Sequence, residues 1–426
     1  MSTRARRAAC ATVAAVALAA AGCATPDSGL EAARRHLSDR GPITYVQASD
    51  EAGTANKQVV EEWNRRHPDE AVTLKQFGDV DDLHDNLVQH FKAQDPGYDV
   101  LGADVVTIAE YAAHRWLQPF EGAYSLDTSP LLKQTVATAT YRGTLYAAPF
   151  MTDAGLLYYR KDLVPKPPRT WRELLAACEI ARKRRIGCYA GQFAKYEGLT
   201  VNVTEAVAAA GGRLVEPDGT TPSARTPAAR EGLSLLVDAY RAGAIPKEGI
   251  TYQEEEGRQA FEDGKLLFHR NWSYVYPLAN SDGGSAVKGK FGVAPLPGVD
   301  GPGRTALGGQ DNAVNVYSRH KATARDFLIY LQSPAVQRKL LIEQGQSPVV
   351  ESLYHDESLL GHPELGYLGT LAQSIATATE RPVTPFYTAV TKAISENAYA
   401  AIKGEKPVDT ALSDIQTAIL AATSEQ

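Results

Sequence analysis

The sequence predicts an α/β protein with a largely parallel sheet, and three observations carry that expectation. Short β-rich stretches alternate with stretches of helical apolar spacing, the pattern of layered strands and helices. Behind an N-terminal leader the chain is long enough for two domains at about 100–200 residues each. The composition, 44% hydrophobic and 22% charged with a formal net charge of -6, is that of a soluble globular protein. Nothing in that balance points to nucleic acid, because there is no basic tract and no zinc-like Cys/His spacing. The 9 histidines are scattered without an HExxH pattern, so neither a metal nor a cofactor is expected.

The leader comes first. Arg4, Arg6 and Arg7 make a basic start, an Ala/Val-rich run follows from Ala8, and the run ends at "LAAAGC", residues 18–23. This reads as a signal peptide over residues 1–22. The run is too short to span a bilayer, which takes about twenty apolar residues. Small residues directly before a cysteine resemble the lipobox of bacterial lipoproteins, although Ala20 stands where Leu is more usual. The resemblance implies cleavage before Cys23, lipid on its sulfur, and export to the outer face of the cytoplasmic membrane. Residues 23–42 are polar and small, and are expected as a flexible tether. Of the 4 cysteines, Cys178 and Cys188 remain, close in sequence on the oxidising side of a membrane. A disulfide is expected there, the alternative being two buried thiols.

Ordered structure should begin near Ile43. "ITYVQA" alternates as a strand, "TANKQVVEEWNRRHP" has helical spacing and stops at Pro68, and "AVTLKQF" is a second strand. "VDDLHDNLVQHFKAQ" reads as a helix, "YDVLGADVVTI" as a strand, and "IAEYAAHRWLQPF" as a short helix with its exit. From Tyr141 the chain predicts a hairpin and two extended segments around Thr152 and Asp153. Thr170, with Glu173 three residues later, marks a helix start with a capping-box pattern. Helices at residues 199–210, 227–242 and 254–263 precede a strand at 266–268. "FGVAPLPGVDGPG" is a Pro/Gly-rich connection and a candidate crossing between domains. "TALGGQDNAVNVY" returns to strand character, two helices split by Pro334 follow, and the chain from Pro348 onward is helical. No internal repeat is visible.

Five stretches then occur in a telling order: "LGADVVTIAEYAAHRWLQPF", "GTLYAAPFMTDAGLLYYRKDL", "RQAFEDGKLLFHRNWSYVYP", "ALGGQDNAVNVYS" and "ATARDFLIYLQSPAVQRKLL". Behind the leader, they resemble the extracellular solute-binding proteins of ABC importers, in the sugar-binding branch that includes maltose- and trehalose-binding proteins. The resemblance runs from near Ile43 to near Ala421. It implies a periplasmic-binding-protein fold, two α/β lobes joined by crossing strands with the ligand in the cleft between them. Lobe one would be residues 43–149 and 305–346, and lobe two residues 150–304 and 347–426. It further implies a monomer that catalyses nothing, captures a glucose-containing disaccharide such as trehalose or maltose, and delivers it to transmembrane permease subunits.

Open α/β sheets bind ligands outside the carboxyl ends of their strands, which selects the candidate residues. Asn271, Trp272 and Tyr274 follow the strand at 266–268, and an indole can cover the apolar face of a pyranose. Trp272 is the first stacking candidate and Tyr274 the second; Tyr276 reads equally as a core aromatic, and a lone histidine such as His269 is more often structural than a ligand contact. Asp104 and Asp153 match ligand-binding aspartates of the family, able to accept sugar hydroxyls. Asp50 and Glu51 follow the first strand, and which of them faces the ligand is open. Tyr196 and Glu197 resemble the segment before a lobe-two helix in trehalose-type members. Gly308 and Gly309 allow close backbone approach, with Gln310 and Asp311 expected to present side chains at the same rim. The aromatic that family members often carry near Gln310 is absent here. Arg381 matches the arginine set against sugar hydroxyls or a cleft carboxylate.

Aromatics with carboxylates would also suit an exported glycoside hydrolase. Against that, the candidate acids are spread over both lobes without an obvious acid/base pair. A third reading keeps the fold and changes the ligand to a polyamine or peptide, since an indole face also attracts cations.

Overall fold

The computed structural model describes residues 29–48, 54–78, 80–281 and 283–424. The first alternating run comprises α1 (Gly29–Ala32), β1 (Ile43–Ala48), α2 (Thr54–Arg66), β2 (Val72–Phe77), α3 (Val80–Lys92), β3 (Val100–Asp104), α4 (Ile108–Ala113) and α5 (Lys133–Thr138). A small hairpin, β4 (Thr140–Tyr141) with β5 (Thr144–Leu145), leads into β6 (Ala147–Ala154) and, after Gly155, β7 (Leu156–Arg160). Next come α6 (Trp171–Arg184), β8 (Gly187–Ala190), α7 (Glu197–Ala209), α8 (Pro227–Arg241), α9 (Glu254–Glu262), β9 (Leu266–Asn271), α10 (Val275–Ala279) and β10 (Phe291–Ala294). The chain finishes with β11 (Leu307–Val314), α11 (Lys321–Leu331), α12 (Pro334–Gln344), α13 (Glu357–Leu360), α14 (Leu368–Ala376), α15 (Tyr387–Ile402) and α16 (Val408–Ser424).

These strands form two large sheets, one per lobe, in the orders β2-β1-β3-β11-β6 and β10-β7-β9-β8. The expectation of largely parallel pairing needs correction, because each sheet is mixed. β11 is antiparallel to β3 and β6, and β7 is antiparallel to β9 and β10. The reason is where these two strands come from. Each carries the chain in from the other lobe, so each starts at the end where its neighbours finish: Gln310 lies opposite Asp104, and Leu156 opposite Asn271.

Helices cover both faces of each sheet, which is why the strands read as nearly continuous apolar runs. On the first sheet Tyr45, Val314, Trp63 and Phe327 pack on one face, and Val46, Leu101, Leu87 and Tyr111 on the other. On the second, Leu157, Leu267, Leu199 and Ile394 share one core and Leu156, Tyr158, Phe261 and Phe291 another. The C-terminal helices α15 and α16 lie against α7 and α8, while α14 packs on both β6 and β7 where the chain crosses.

Several local expectations are met and others revised. Thr170 caps α6, its Oγ1 accepting from Glu173 N at 3.2 Å. The Glu173 carboxylate reaches one residue further back and accepts from Arg169 N at 2.6 Å. Cys178 and Cys188 form a disulfide, Cα–Cα 5.1 Å, that ties α6 to β8. β8 itself was missed, as four residues give too short a period-two pattern to read. Residues 291–294, expected as part of a connection, form edge strand β10 paired with β7; only the Pro/Gly-rich segment after it makes the crossing. Residues 29–42, expected as tether, are seated on the first lobe: Lys321 Nζ donates to Ala32 O at 2.6 Å, and Arg40 pairs with Glu70 and Asp326. Among the described residues no helix is long and apolar enough to cross a membrane. Cys23 and the leader lie outside the described residues.

Candidate functional site

The start of β11 is the seam of the molecule. Leu307 O accepts from Arg381 Nε at 3.4 Å, Gly308 lies opposite Asp153 and against Trp272, and Gln310 lies opposite Asp104. Gly309 O accepts from Val105 N at 3.3 Å. Glycine is required at 309: φ is +131°, and a Cβ there would sit 2.3 Å from Met151 O. At Gly308 a Cβ would come within 2.9 Å of the Trp272 ring.

Arg381 joins the two lobes. Its segment runs beside the crossing, with Leu307 N donating to Thr379 O and Thr379 N to Thr305 O, both at 2.8 Å. The side chain is 4% exposed and pairs with Asp104 Oδ1 at 2.8 Å and Glu197 Oε1 at 3.0 Å. Asp104 ends β3 of the first sheet, and Glu197 opens α7 of the second lobe. Burial works against the Arg381 charge, but Asp104, Tyr387 and Glu197 together push its pKa higher still. Glu197 also accepts from Tyr387 OH at 2.5 Å and from Thr391 Oγ1. Burial raises the Glu197 carboxyl, opposed by Arg381 and by these two hydroxyls. Arg381 is buried while Asp104 and Glu197 stay 30% and 34% exposed, so solvent screens the loss of either acid and its cost falls below the about 3–5 kcal/mol of a fully buried pair.

The second lobe supplies the aromatics. Trp272 is partly exposed, and the Arg270 guanidinium carbon lies 4.1 Å from its ring centroid. Asn271, expected at the ligand, is fully buried and committed. Its Oδ1 accepts from Trp272 N at 2.8 Å, and its Nδ2 donates to Glu254 O and His269 Nε2, both at 3.0 Å. Burial lowers the His269 pKa to about 3, so the ring is neutral; it donates through Nδ1 to Ala190 O at 3.2 Å and accepts at Nε2. Asn271 therefore fixes the turn that presents Trp272 and offers nothing outward.

Asp153 has a similar local duty. Its Oδ1 accepts from Ala154 N at 2.7 Å and from Ser273 N at 3.2 Å, tying the end of β6 to the residue after Trp272. Burial pushes its pKa up to about 6 against the pull of those bonds. Tyr196 OH donates to Glu254 Oε2 at 2.6 Å and Tyr274 OH to Glu255 Oε1 at 2.7 Å. Glu254 and Glu255 open α9 and were read from sequence only as a helix start. Their second role was visible at best as the acidic run "QEEEG".

Gln310 and Asp311 do not reach the rim as expected, being 3% and 0% exposed. A bulge falls between them, in a central strand covered on both faces. Both Asp311 oxygens lack a hydrogen-bond partner among the described residues. Burial, then the nearby Asp104, raises its carboxyl far above the usual range. Asp50 and Glu51 lie outside the described residues. Among those described, no group of three or more His, Cys, Asp or Glu side chains is placed to hold a metal.

Known proteins share this fold. Residues 48–338 match the family of bacterial extracellular solute-binding proteins. A "Probable ABC transporter-binding protein" of Deinococcus radiodurans is 33% identical over 297 residues, 66% of this chain and 70% of that one. A "Lactose-binding protein" of Rhizobium radiobacter is 26% identical over 315 residues, 68% of this chain and 70% of that one. The structure of maltose-bound MalE3 of T. maritima is 31% identical, with a TM-score of 0.77 over 89% of this chain and 98% of that one. From the match over residues 48–338 and the shared two-lobe architecture, the chain belongs to the bacterial extracellular solute-binding protein family.

Proposed function

We propose that this protein captures a sugar, a glucose-containing disaccharide such as trehalose or maltose, and delivers it to the permease of an ABC importer. The observation that carries the reading is Arg381, which joins Asp104 of one lobe to Glu197 of the other and bonds Leu307 O, one residue before the Gly308 that lies against the ring of Trp272. Charged acceptors from both lobes around an indole are what a polyhydroxylated ligand with an apolar face requires. Tyr196 and Tyr274 bond Glu254 and Glu255 at the start of α9, and Glu254 O also holds Asn271, the residue before Trp272. Since β6 belongs to the first sheet as far as Ala154, the expected boundary at 149/150 moves to Gly155, giving lobes of residues 43–154 with 305–346 and residues 155–304 with 347–426; the protein works as an exported monomer held to the membrane by lipid on Cys23. The relatives are binding proteins, and the acids here are engaged with Arg381, Ser273 and tyrosines, which supports binding without hydrolysis.

Calorimetric titration with trehalose, maltose, lactose, cellobiose and mannitol tests this. A bound sugar at a hundredfold excess over its dissociation constant should stabilise the protein by about 2.7 kcal/mol. A panel in which no sugar binds or raises the melting temperature would remove the sugar reading, and binding of a polyamine or peptide instead would replace it.

A further inference from the structure

Beneath Trp272 lies an ion pair that ligand capture does not itself use. Arg270 and Glu205 side chains are 1% and 6% exposed. Their contact is two-pronged: Nε donates to Oε2 at 2.8 Å and Nη2 to Oε1 at 2.5 Å. The remaining nitrogen, Nη1, donates to Gln192 Oε1 at 2.9 Å, and Gln192 Nε2 donates back to Arg270 O at 3.1 Å. The guanidinium plane is thereby held on three sides, and the Trp272 ring rests on it.

The same pair meets both crossing strands. Gly155, the single residue between β6 and β7, passes so close that a Cβ would lie 2.5 Å from Arg270 Nη2 and 2.6 Å from Glu205 Oε1. From the other crossing, Thr305 Oγ1 and Ala306 N donate to Glu205 Oε1 at 3.0 and 3.1 Å. Gly155 N donates to Thr305 Oγ1 at 2.6 Å, which links the two strands directly. A cavity of about 20 Å³ beside Glu205, under Leu296, Pro297 and Arg304, has room for one water.

We infer that Glu205 and Arg270 form a hinge relay: Arg270 is a positioning residue for Trp272, and Glu205 couples that position to both strands on which the lobes turn. A buried ion pair with every prong bonded has few alternative arrangements, since each broken bond exposes a lone charge. Movement at the crossing therefore shifts the guanidinium plane, and the ring resting on it turns with the lobes. The relay rests on the reading of Trp272 as the ligand-facing ring, and part of its test does not depend on any ligand.

The test uses the double variant Arg270→Met/Glu205→Leu, which removes both charges at once and leaves none unpaired. Affinities for maltose, trehalose and lactose are measured in the parent, the double variant, Trp272→Ala and the triple variant. The emission of Trp272 is isolated by subtracting a Trp272→Phe counterpart, removing the signal of Trp63, Trp116 and Trp171. Residues in contact lose binding non-additively, so the double change should weaken binding about tenfold with Trp272 present and under about twofold with Ala there. Trp272 emission should also shift in the ligand-free protein. Additive losses with unmoved emission would overturn the relay and leave the pair a structural one. A parent that binds none of the three sugars refutes the sugar reading alone, and the relay then stands or falls on the ligand-free emission. Should the double variant fail to fold, Arg270→Lys enters the same measurements, as it keeps the charge and loses the planar fork.

Discussion

Strands β9 and β11 are the same kind of object in two settings. Each runs through the interior of its sheet and carries three consecutive buried polar residues, His269, Arg270 and Asn271 in one and Gln310, Asp311 and Asn312 in the other. In β9 all three are bonded: His269 to Ala190 and Asn271, Arg270 to Glu205 and Gln192, Asn271 to Glu254 and Trp272. In β11 Asn312 Oδ1 accepts from Tyr45 OH at 2.9 Å, but Asn312 Nδ2 and both Asp311 oxygens have no partner among the described residues. A bonded buried network holds one arrangement, whereas each unmade bond costs about 1–3 kcal/mol. The second lobe thus presents a finished platform under Trp272, and the first lobe carries an uncompensated polar strand behind Asp104.

The largest effect should come from breaking the bonded side. Glu205→Leu leaves Arg270 charged and alone, and urea denaturation should show a loss of about 3–5 kcal/mol. If Asp311→Leu, at the unbonded strand, cost as much, the contrast between the two strands would collapse.

Trp272→Ala removes what the β9 platform presents without touching the platform. Sugar affinity should fall by about 2–4 kcal/mol, about thirtyfold to a thousandfold, with little change in ligand-free melting. A core role would instead lower ligand-free stability by about 3–5 kcal/mol and spare the affinity of the folded protein.

The Cys178→Ser/Cys188→Ser variant asks whether the stiffness of this lobe is covalent or belongs to β9. Opening a loop of 10-residue separation should cost about 2–3 kcal/mol of stability. Sugar affinity should hold, since the staple sits on α6 and β8 while Trp272 is held from β9. A parallel loss of affinity would transfer the credit from the network to the staple.

The smallest effect, and of opposite sign, belongs to β11. Asp311→Asn should stabilise the protein by about 1 kcal/mol near neutral pH. The sign follows from linkage. The folded protein holds a proton on Asp311 that the unfolded chain releases, so this residue lowers stability as pH rises from the ordinary carboxylate range towards its raised folded pKa. Asn removes that slope, so the gain should be larger at about pH 8 than at about pH 5. Asp153, raised to about 6, adds a slope of the same sign that the variant keeps. A gain independent of pH would mean that Asp311 is not the group titrating.

Much of the candidate site was legible because strand ends are. Asp104, Asp153 and Trp272 each stand where a β-rich run gives way to polar residues, and the structure brings all three to the start of β11. Illegible were the partners that decide what each side chain is free to do. Asn271 looked like a ligand contact because it follows the strand expected at 266–268, yet β9 runs on through it and its amide is consumed by Glu254 and the turn. Arg270, in the same motif, was marked by nothing in the sequence and is the anchor beneath the ring.

The sequence by itself indicated most of the element order, β8 and β10 excepted, along with the Thr170 cap, the Cys178–Cys188 bridge as the expected state of that pair, and the alternation that calls for α/β layers. These depend on periodicity, capping and spacing within a few residues of chain. Tertiary structure alone decided that β7 and β11 run against their neighbours, that residues 291–294 become an edge strand, and that Gln310 and Asp311 are buried. It also paired Arg270 with Glu205 across 65 residues and Arg381 with Asp104 across 277. Such pairings repay the desolvation of a charge only when chain crossings bring both partners to one place, and no local run of residues carries that information.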